Sequence, residues 1–234
     1  MYAFIIVKTS ELGILFLLAT VLIWFLKGAR LPKPAKTLGS FLLISLIIQL
    51  TIRFTLEQGI NMLPLLHLHT LLEFIFFTQF FAFILDDSHG VKKNVKLVLI
   101  IGICLLLLDS LAIGSLYQVN TYGRIALAIL MLCYGTMHLK DVYGKVDLSH
   151  PRELGISLIV FSVLISYSGS LTTYLLELFT HHYARAVLAD KVQPIWLING
   201  VLTAFFQLFA LIAYSVLAFK QTEKISLSPN YPLK

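Results

Sequence analysis

One segment decides the fold. Met62–Leu85 reads MLPLLHLHTLLEFIFFTQFFAFIL and contains a single carboxylate, Glu73, with no lysine or arginine. About 20 consecutive, mostly apolar residues are enough for an α-helix to cross the hydrocarbon core of a bilayer. The segment therefore predicts a membrane-spanning helix that carries one ionisable group in its interior.

The composition of the whole chain agrees with this segment. Of 234 residues, 58% are hydrophobic and 13% are charged, and the mean hydropathy is +0.87. Soluble domains are about half apolar and a quarter charged, so this composition excludes a soluble domain, a disordered chain, a collagen and a coiled coil. We predict an all-α, polytopic membrane protein: a seven-transmembrane-helix bundle over residues 1–220, followed by a cytoplasmic tail over residues 221–234. The other predicted spans are Ser10–Leu26, Thr37–Thr55, Leu97–Tyr117, Arg124–Leu139, Leu154–Thr180 and Ile195–Phe219.

The distribution of basic residues predicts the orientation. Thirteen of the 18 lysines and arginines fall in the first, third and fifth connections and in the C-terminal tail. Cytoplasmic segments of membrane proteins carry such an excess, so we place the N-terminus outside and the C-terminus in the cytoplasm of a bacterial cell, in the inner (plasma) membrane. The net charge of +6 is thereby assigned to cytoplasmic loops, and no nucleic-acid partner is predicted. An odd number of spans also argues against a transporter built from two inverted repeats.

Polar residues form stripes on two of the predicted helices. Trp196, Asn199, Thr203 and Gln207 follow one another at helical spacing. A second stripe, on the sixth helix, consists of Ser166, Ser170, Thr173 and Glu177. Lipid offers polar groups no hydrogen-bond partners, so both stripes should face the interior of the bundle. They either line a cavity or only hold the helices together by hydrogen bonds.

A ligand site is predicted where these stripes meet two carboxylates in the outer half of the bundle. We expect Glu73 to face the bundle and to pair with Arg53, His69 or Asp109, because an isolated buried carboxylate is costly. The predicted intramembrane polar network is Arg53, His69 and Glu73. The predicted ligand-binding residues are Glu73, Asp109, Tyr167, Ser170, Tyr174, Trp196, Asn199 and Thr203.

Neither a metal nor another cofactor is predicted. His67 and His69 are two residues apart on a helix, about 200° around its axis, so they cannot both face one ion. His69 and Glu73 can share a face, but further ligands would have to come from His181 and His182. The sequence also lacks the zinc-protease, nucleophile-elbow and phosphate-loop motifs. The sequence argues against a retinal pigment, because every lysine lies in a loop, in a tail or at a helix end.

Three short motifs resemble those of a known group of proteins. The stretches NMLPLLHLHTLLEF at Asn61–Phe74, SYSGS at Ser166–Ser170 and PIWLING at Pro194–Gly200 are similar to a loosely defined group of uncharacterised bacterial seven-helix membrane proteins. Some members of that group accompany histidine kinases or transcription regulators. The resemblance spans nearly the whole membrane part and implies a sensory or receptor-like module. The matching positions, without assigned roles, are Glu73, Ser168, Gly169, Trp196 and Asn199.

The leading functional hypothesis is a receptor-like module that binds a small molecule from the outer face. Because no kinase domain follows Lys220, it would signal to a separate cytoplasmic protein. One alternative is a transporter or ion-pathway component with Glu73 and Asp109 as protonatable groups. The other is a membrane enzyme that acts on a lipid or an isoprenoid with His69 and Glu73. An enzyme is the less favoured reading, and the lipid bilayer is a partner in all three.

Overall fold

The structure, a computed structural model, describes residues 2–85, 90–113, 116, 120–142, 150–183 and 192–220. Within these residues the chain is helical and contains no strand. Seven of the described helices are long and apolar enough to cross a membrane, which makes this a multi-pass membrane protein. They are α1 (Tyr2–Lys27), α2 (Lys33–Glu57), α3 (Leu63–Ile84), α4 (Val91–Leu108), α5 (Thr121–Val142), α6 (Pro151–Tyr183) and α7 (Val192–Ser215).

Except for α3, which is one residue shorter at each end, the helices with their π-helical turns extend beyond at least one end of the predicted spans. The helix α4 begins six residues earlier than its predicted span, and a π-helical turn at Asp109–Ile113 continues it. A second π-helical turn, Val216–Lys220, extends α7. The predicted end of the fourth span at Tyr117 and the predicted tail at residues 221–234 lie outside the described residues.

Six of the helices form a closed ring. Each helix of the ring packs against the next in the order α1, α2, α3, α5, α6 and α7. The ring is closed by extensive packing of α7 against α1. The helix α4 is outside this ring and packs on α3. Its outward face is apolar and exposed, as expected for a helix in contact with lipid; the exposed side chains are Leu97, Ile100, Ile101, Leu105, Leu107 and Leu108.

A glycine brings α4 close to the ring. A Cβ atom built on Gly102 would lie 2.0 Å from Cζ of Phe74 on α3, so only a residue without a side chain lets the two helices approach this closely. Gly90, with a φ of 66°, precedes α4 in the left-handed conformation that glycine adopts without steric cost. Both glycines therefore help to position α4 against α3.

The two ends of the bundle differ in character. The end where α1 finishes and α2 starts is called the basic end here, because it carries Lys27, Arg30, Lys33 and Lys36. The opposite end, where α2 finishes and α3 starts, is called the cavity end. Towards the basic end the ring is filled by buried side chains that form an aromatic and aliphatic layer: Phe80, Phe81, Met131, Tyr134, Ile159 and Val163. This layer makes the basic half of the ring a solid core.

Candidate functional site

A cavity of about 310 Å³ lies inside the ring at the cavity end. All six ring helices contribute to its wall, from Leu63 at the start of α3 to Phe41 and Phe77 on its deeper side. No residue of α4 lines it. Its polar lining residues are Ser45, Gln49, His67, His69, Thr70, Glu73, Asn120, Arg124, Ser166, Tyr167, Ser170, Tyr174, Thr203 and Gln207.

The cavity is centred on an ion pair between Glu73 and Arg124. Nη1 of Arg124 donates to Oε2 of Glu73 over 2.7 Å, and the hydroxyl of Tyr167 donates to Oε1 over 2.6 Å. Nδ1 of His69 lies 3.7 Å from Oε2 of the same carboxylate. These residues, called the Glu73 cluster here, join α3, α5 and α6. Because Glu73 is ten residues into α3, the cluster lies about 15 Å from the start of that helix.

The helix α2 fixes the ring of His69. Nε2 of His69 lies 2.9 Å from Oγ of Ser45, and the amide of Gln49 donates to the same oxygen over 3.4 Å. The ring of Phe41 packs at a tilt on the imidazole, with 5.5 Å between the ring centres. One imidazole nitrogen therefore faces the carboxylate of Glu73, and the other is held by α2.

The structure brings several of the predicted ligand residues together. All of the following line the cavity: Glu73, Tyr167, Ser170, Tyr174 and Thr203. Of these, Ser170 and Thr203 belong to the two predicted polar stripes. Thr173 and Glu177, which continue the stripe on α6, are not among the lining residues. Glu73 faces the bundle, as expected, and His69 is beside it.

The predicted contributions of Trp196 and Asn199 cannot be located in the same way. Both residues lie on α7, but their side chains are outside the described part of the structure. Thr203 and Gln207, which belong to the same stripe, line the cavity.

Asp109 is the first correction. Its carboxylate is buried, but it accepts the backbone N–H of Gly123 over 2.8 Å and thereby caps the start of α5. It borders an apolar groove between α3, α4 and α5 instead of the cavity. The expectation failed because depth along a helix does not say whether that helix belongs to the ring, and α4 does not.

Arg53 is the second correction. Its Nη2 donates to Oε1 of Glu11 on α1 over 3.0 Å, on an exposed surface of the bundle. Gln49, one turn earlier on α2, lines the cavity, but Arg53 is closer to the end of the helix and reaches α1. It is therefore not part of the Glu73 cluster.

Sequence reasoning missed the main partner of Glu73. The predicted fifth span begins at Arg124, whereas α5 begins at Thr121, at the level where Asp109 caps it. One signal pointed to it: a carboxylate near the middle of a span needs a cation, and Arg124 directly adjoined a predicted span.

His67 has a structural partner outside the Glu73 cluster. Its Nδ1 lies 2.7 Å from Oγ of Ser110, to which the amide of Asn120 also donates over 3.5 Å. His67 and His69 thus contact different helices, as their spacing predicted. Among the described residues no group of three histidine, cysteine, aspartate or glutamate side chains could hold a metal ion. The side chains of His181 and His182 lie outside them.

Comparison with known proteins does not add to this description. No protein family, no curated protein and no solved structure matches the chain. The resemblance to bacterial seven-helix proteins therefore stays a prediction.

Proposed function

We propose that this protein is a receptor-like membrane module that binds a small ligand in the cavity and reports binding to a separate cytoplasmic protein. The observation that carries the proposal is the Glu73 cluster: a carboxylate, a guanidinium and a phenol, bonded to one another across three helices at the wall of a cavity of about 310 Å³. Ligand sites in proteins commonly combine apolar walls with a few convergent polar groups.

The cluster is an expensive way to hold three helices together. Taking two charges out of water costs several kcal/mol per ion, and well-packed apolar residues often stabilise a fold as well or better. Ionisable groups inside membrane spans usually mark sites of function for this reason. Polar groups that line an accessible cavity can bind a ligand, whereas polar groups in a packed core cannot.

The geometry offers a route for reporting. A ligand that competes for Glu73 or Arg124 weakens the bond that ties α3 to α5. Binding then shifts these helices from one arrangement to another if the ligand has a higher affinity for the second arrangement. From the cluster, α5 and α6 run to the basic end, where α5 ends at Val142 and α6 begins at Pro151. A cytoplasmic protein would read their relative positions there.

The proposed orientation puts the cavity end outside the cell and the basic end in the cytoplasm of the inner membrane. It is supported by the excess of lysine and arginine in the connections at the basic end. A reporter enzyme that is active only in the cytoplasm should be active when it is fused after Lys234. A reporter enzyme that is active only outside the cytoplasm should be active when it is inserted between Arg185 and Lys191. The reverse pattern would contradict the proposal.

A pair of substitutions on α6 tests ligand binding. Ser166 lines the cavity, whereas Ser168 is exposed on the outside of the bundle. Ser166→Phe should fill the cavity, and Ser168→Phe introduces the same ring towards lipid. We expect mass spectrometry of the purified protein to detect a bound small molecule in the wild type and in Ser168→Phe and to lose it in Ser166→Phe. Equal retention in both variants would contradict binding in this cavity.

Reporting is tested by a distance measurement. Lys140 on α5 and Arg152 on α6 are exposed near the basic end, and spin labels can replace them once Cys104 and Cys133 are changed to serine. We expect addition of the molecule identified above to shift the distance distribution between the labels. The same labels in Ser166→Phe are the control and should show no shift. A wild-type distribution that ligand leaves unchanged would contradict the reporting role.

A second candidate is a transporter, favoured by the position of Glu73 near the middle of its span. The packed layer that contains Phe80, Phe81 and Tyr134 opposes it, because that layer closes the ring between the cavity and the basic end. Transport would require this layer to part. If the protein carries the ligand into liposomes and Glu73→Gln lowers the rate, the transporter is favoured. If the protein binds the ligand without carrying it into liposomes, the receptor is favoured.

A further inference from the structure

The proposed ligand cavity has a chemical preference, and this inference rests on the function proposed above. We propose that the ligand carries a carboxylate or an equivalent singly charged oxyanion, that this group binds Arg124 in competition with Glu73, and that one proton enters the cavity with it. The donors of Arg124, the acceptors of Glu73 and the charge of the cavity each favour such a ligand.

The guanidinium of Arg124 is the least used polar group of the Glu73 cluster. A guanidinium has five N–H donors in a planar fork that matches a carboxylate. Among the described residues, Arg124 makes one hydrogen bond, from Nη1 to Oε2 of Glu73. Because Arg124 lines the cavity, the rest of its fork can bind an acceptor that a ligand brings.

The carboxylate of Glu73 is much closer to saturation. Its Oε1 accepts from Tyr167, and its Oε2 accepts from Arg124 with His69 3.7 Å away. An incoming cation would compete with a guanidinium that already neutralises this carboxylate. An incoming carboxylate instead meets unused donors, so the cluster favours an anionic ligand over a cationic one.

Charge balance supplies the proton. The described groups that surround Glu73 come from five helices, and without ligand the charges of Glu73 and Arg124 cancel. An added anion would leave one net negative charge about 15 Å inside the bundle, where an uncompensated charge is costly. A proton taken up by Glu73 or by the adjacent His69 restores neutrality. The groups that face Glu73 are His69 on α3, Arg124 on α5, and Tyr167 and Tyr174 on α6. One further titratable group, His67 on α3, lines the cavity and is bonded to Ser110. The other polar lining residues carry no charge: Ser45, Gln49, Thr70, Asn120, Ser166, Ser170, Thr203 and Gln207.

Matched probes test the charge preference. Acetate and benzoate, their amides acetamide and benzamide, and benzylamine differ in charge at similar size, and each can be added to the purified wild-type protein at constant ionic strength. We expect at least one carboxylate to raise the melting temperature more than its amide does, because a ligand that binds only the folded state stabilises it. Failure of both carboxylates to exceed their amides would overturn the proposal, as would stabilisation by benzylamine alone.

Two substitutions should act with opposite sign. Glu73→Gln removes the competitor for Arg124 and imitates a protonated carboxyl group, so we expect it to tighten carboxylate binding by about tenfold or more. Arg124→Gln should abolish the preference for acid over amide. The double variant Glu73→Gln, Arg124→Gln leaves no buried charge and gives the same answer if the single arginine variant does not fold. Arg53→Gln makes the same chemical change on the surface and should leave binding within about twofold of the wild type.

The proton is measured by titration calorimetry of the stabilising carboxylate in two buffers with different enthalpies of ionisation. We expect uptake of about one proton per carboxylate in the wild type and none in Glu73→Gln. Zero uptake in the wild type, or weaker binding in Glu73→Gln, would overturn the proposal. Amides that bind as tightly as acids, and are excluded by Ser166→Phe, would overturn the preference for an anion while leaving the ligand-binding function intact.

Discussion

Two arginine–glutamate pairs in this protein share their chemistry and differ in their surroundings. Arg53 of α2 and Glu11 of α1 are 3.0 Å apart, and their side chains are 49% and 32% exposed. Arg124 of α5 and Glu73 of α3 are 2.7 Å apart, and their side chains are 19% and 14% exposed. Each pair joins two helices, but only the second borders the cavity.

The difference shows how environment decides the role of one kind of pair. Surface ion pairs contribute about 0–1 kcal/mol and are screened by salt. A buried pair also contributes little net stability, yet removing one partner costs much more because the other charge is left uncompensated. Loss of the exposed pair should change the free energy of unfolding little. The fold remains stable around the buried pair only if both partners are present or if a ligand replaces one of them.

The largest effect is expected from Arg124→Gln. The change leaves Glu73 buried without its cation, and we expect a loss of about 3–5 kcal/mol in the free energy of unfolding. Chemical unfolding in detergent, followed by circular dichroism, measures it. The double variant with Glu73→Gln should recover a large part of the loss. A single variant as stable as the wild type would show that the pair is not buried from water.

Tyr167→Phe should have the next largest effect. It removes a hydroxyl that donates to a charged carboxylate over 2.6 Å, and bonds of this kind contribute about 1.5–3 kcal/mol. Tyr122→Phe on the exposed surface of α5 is the control and should change stability by less than about 0.5 kcal/mol. If both substitutions cost the same in a thermal unfolding series, the bond to Glu73 is not a strong one.

Asp109→Ala separates stability from binding. The carboxylate caps the start of α5 outside the ring, so its loss should cost about 1 kcal/mol, as for other helix caps. Retention of the bound molecule in mass spectrometry should match the wild type. Loss of the molecule at unchanged stability would restore Asp109 to the ligand site and contradict its place outside the cavity.

The smallest effect is expected from Arg53→Gln. Its partner Glu11 is accessible to water, so we expect a loss of no more than about 1 kcal/mol at low salt and less when salt is added. Unfolding curves at two salt concentrations give both values. A loss as large as that of Arg124→Gln would remove the contrast between the two pairs.

Helical phase predicted part of the site well, because it is a property of one helix. The spacing of Ser166 and Ser170 and of Thr203 and Gln207 agrees with their place on the cavity wall. The same spacing continues to Thr173 and Glu177, which do not line the cavity. The seven spans could also be predicted from the sequence, because hydropathy and length define a membrane span.

Properties that depend on several helices were not predictable from the sequence. Asp109 has the depth of a cavity residue, but the packing of α4 outside the ring removes it from the cavity. Arg124 reaches Glu73 because α5 begins inside the bundle, where Asp109 and Asn120 both bond to the N–H of Gly123. Asn120 is a local start signal for α5, whereas the bond from Asp109 comes from another segment and cannot be read from the sequence of α5.

The ring is closed by α1 against α7, the first and the last of the described helices. Helices enter a membrane in the order of synthesis, and contacts between distant parts of the chain form late. Glu73 therefore gains its counterion when α5 enters, two helices after its own, while the seam between α1 and α7 stays open until synthesis reaches the final helix. We therefore expect the nascent protein to neutralise Glu73 before it encloses the cavity, because α5 precedes α7 along the chain.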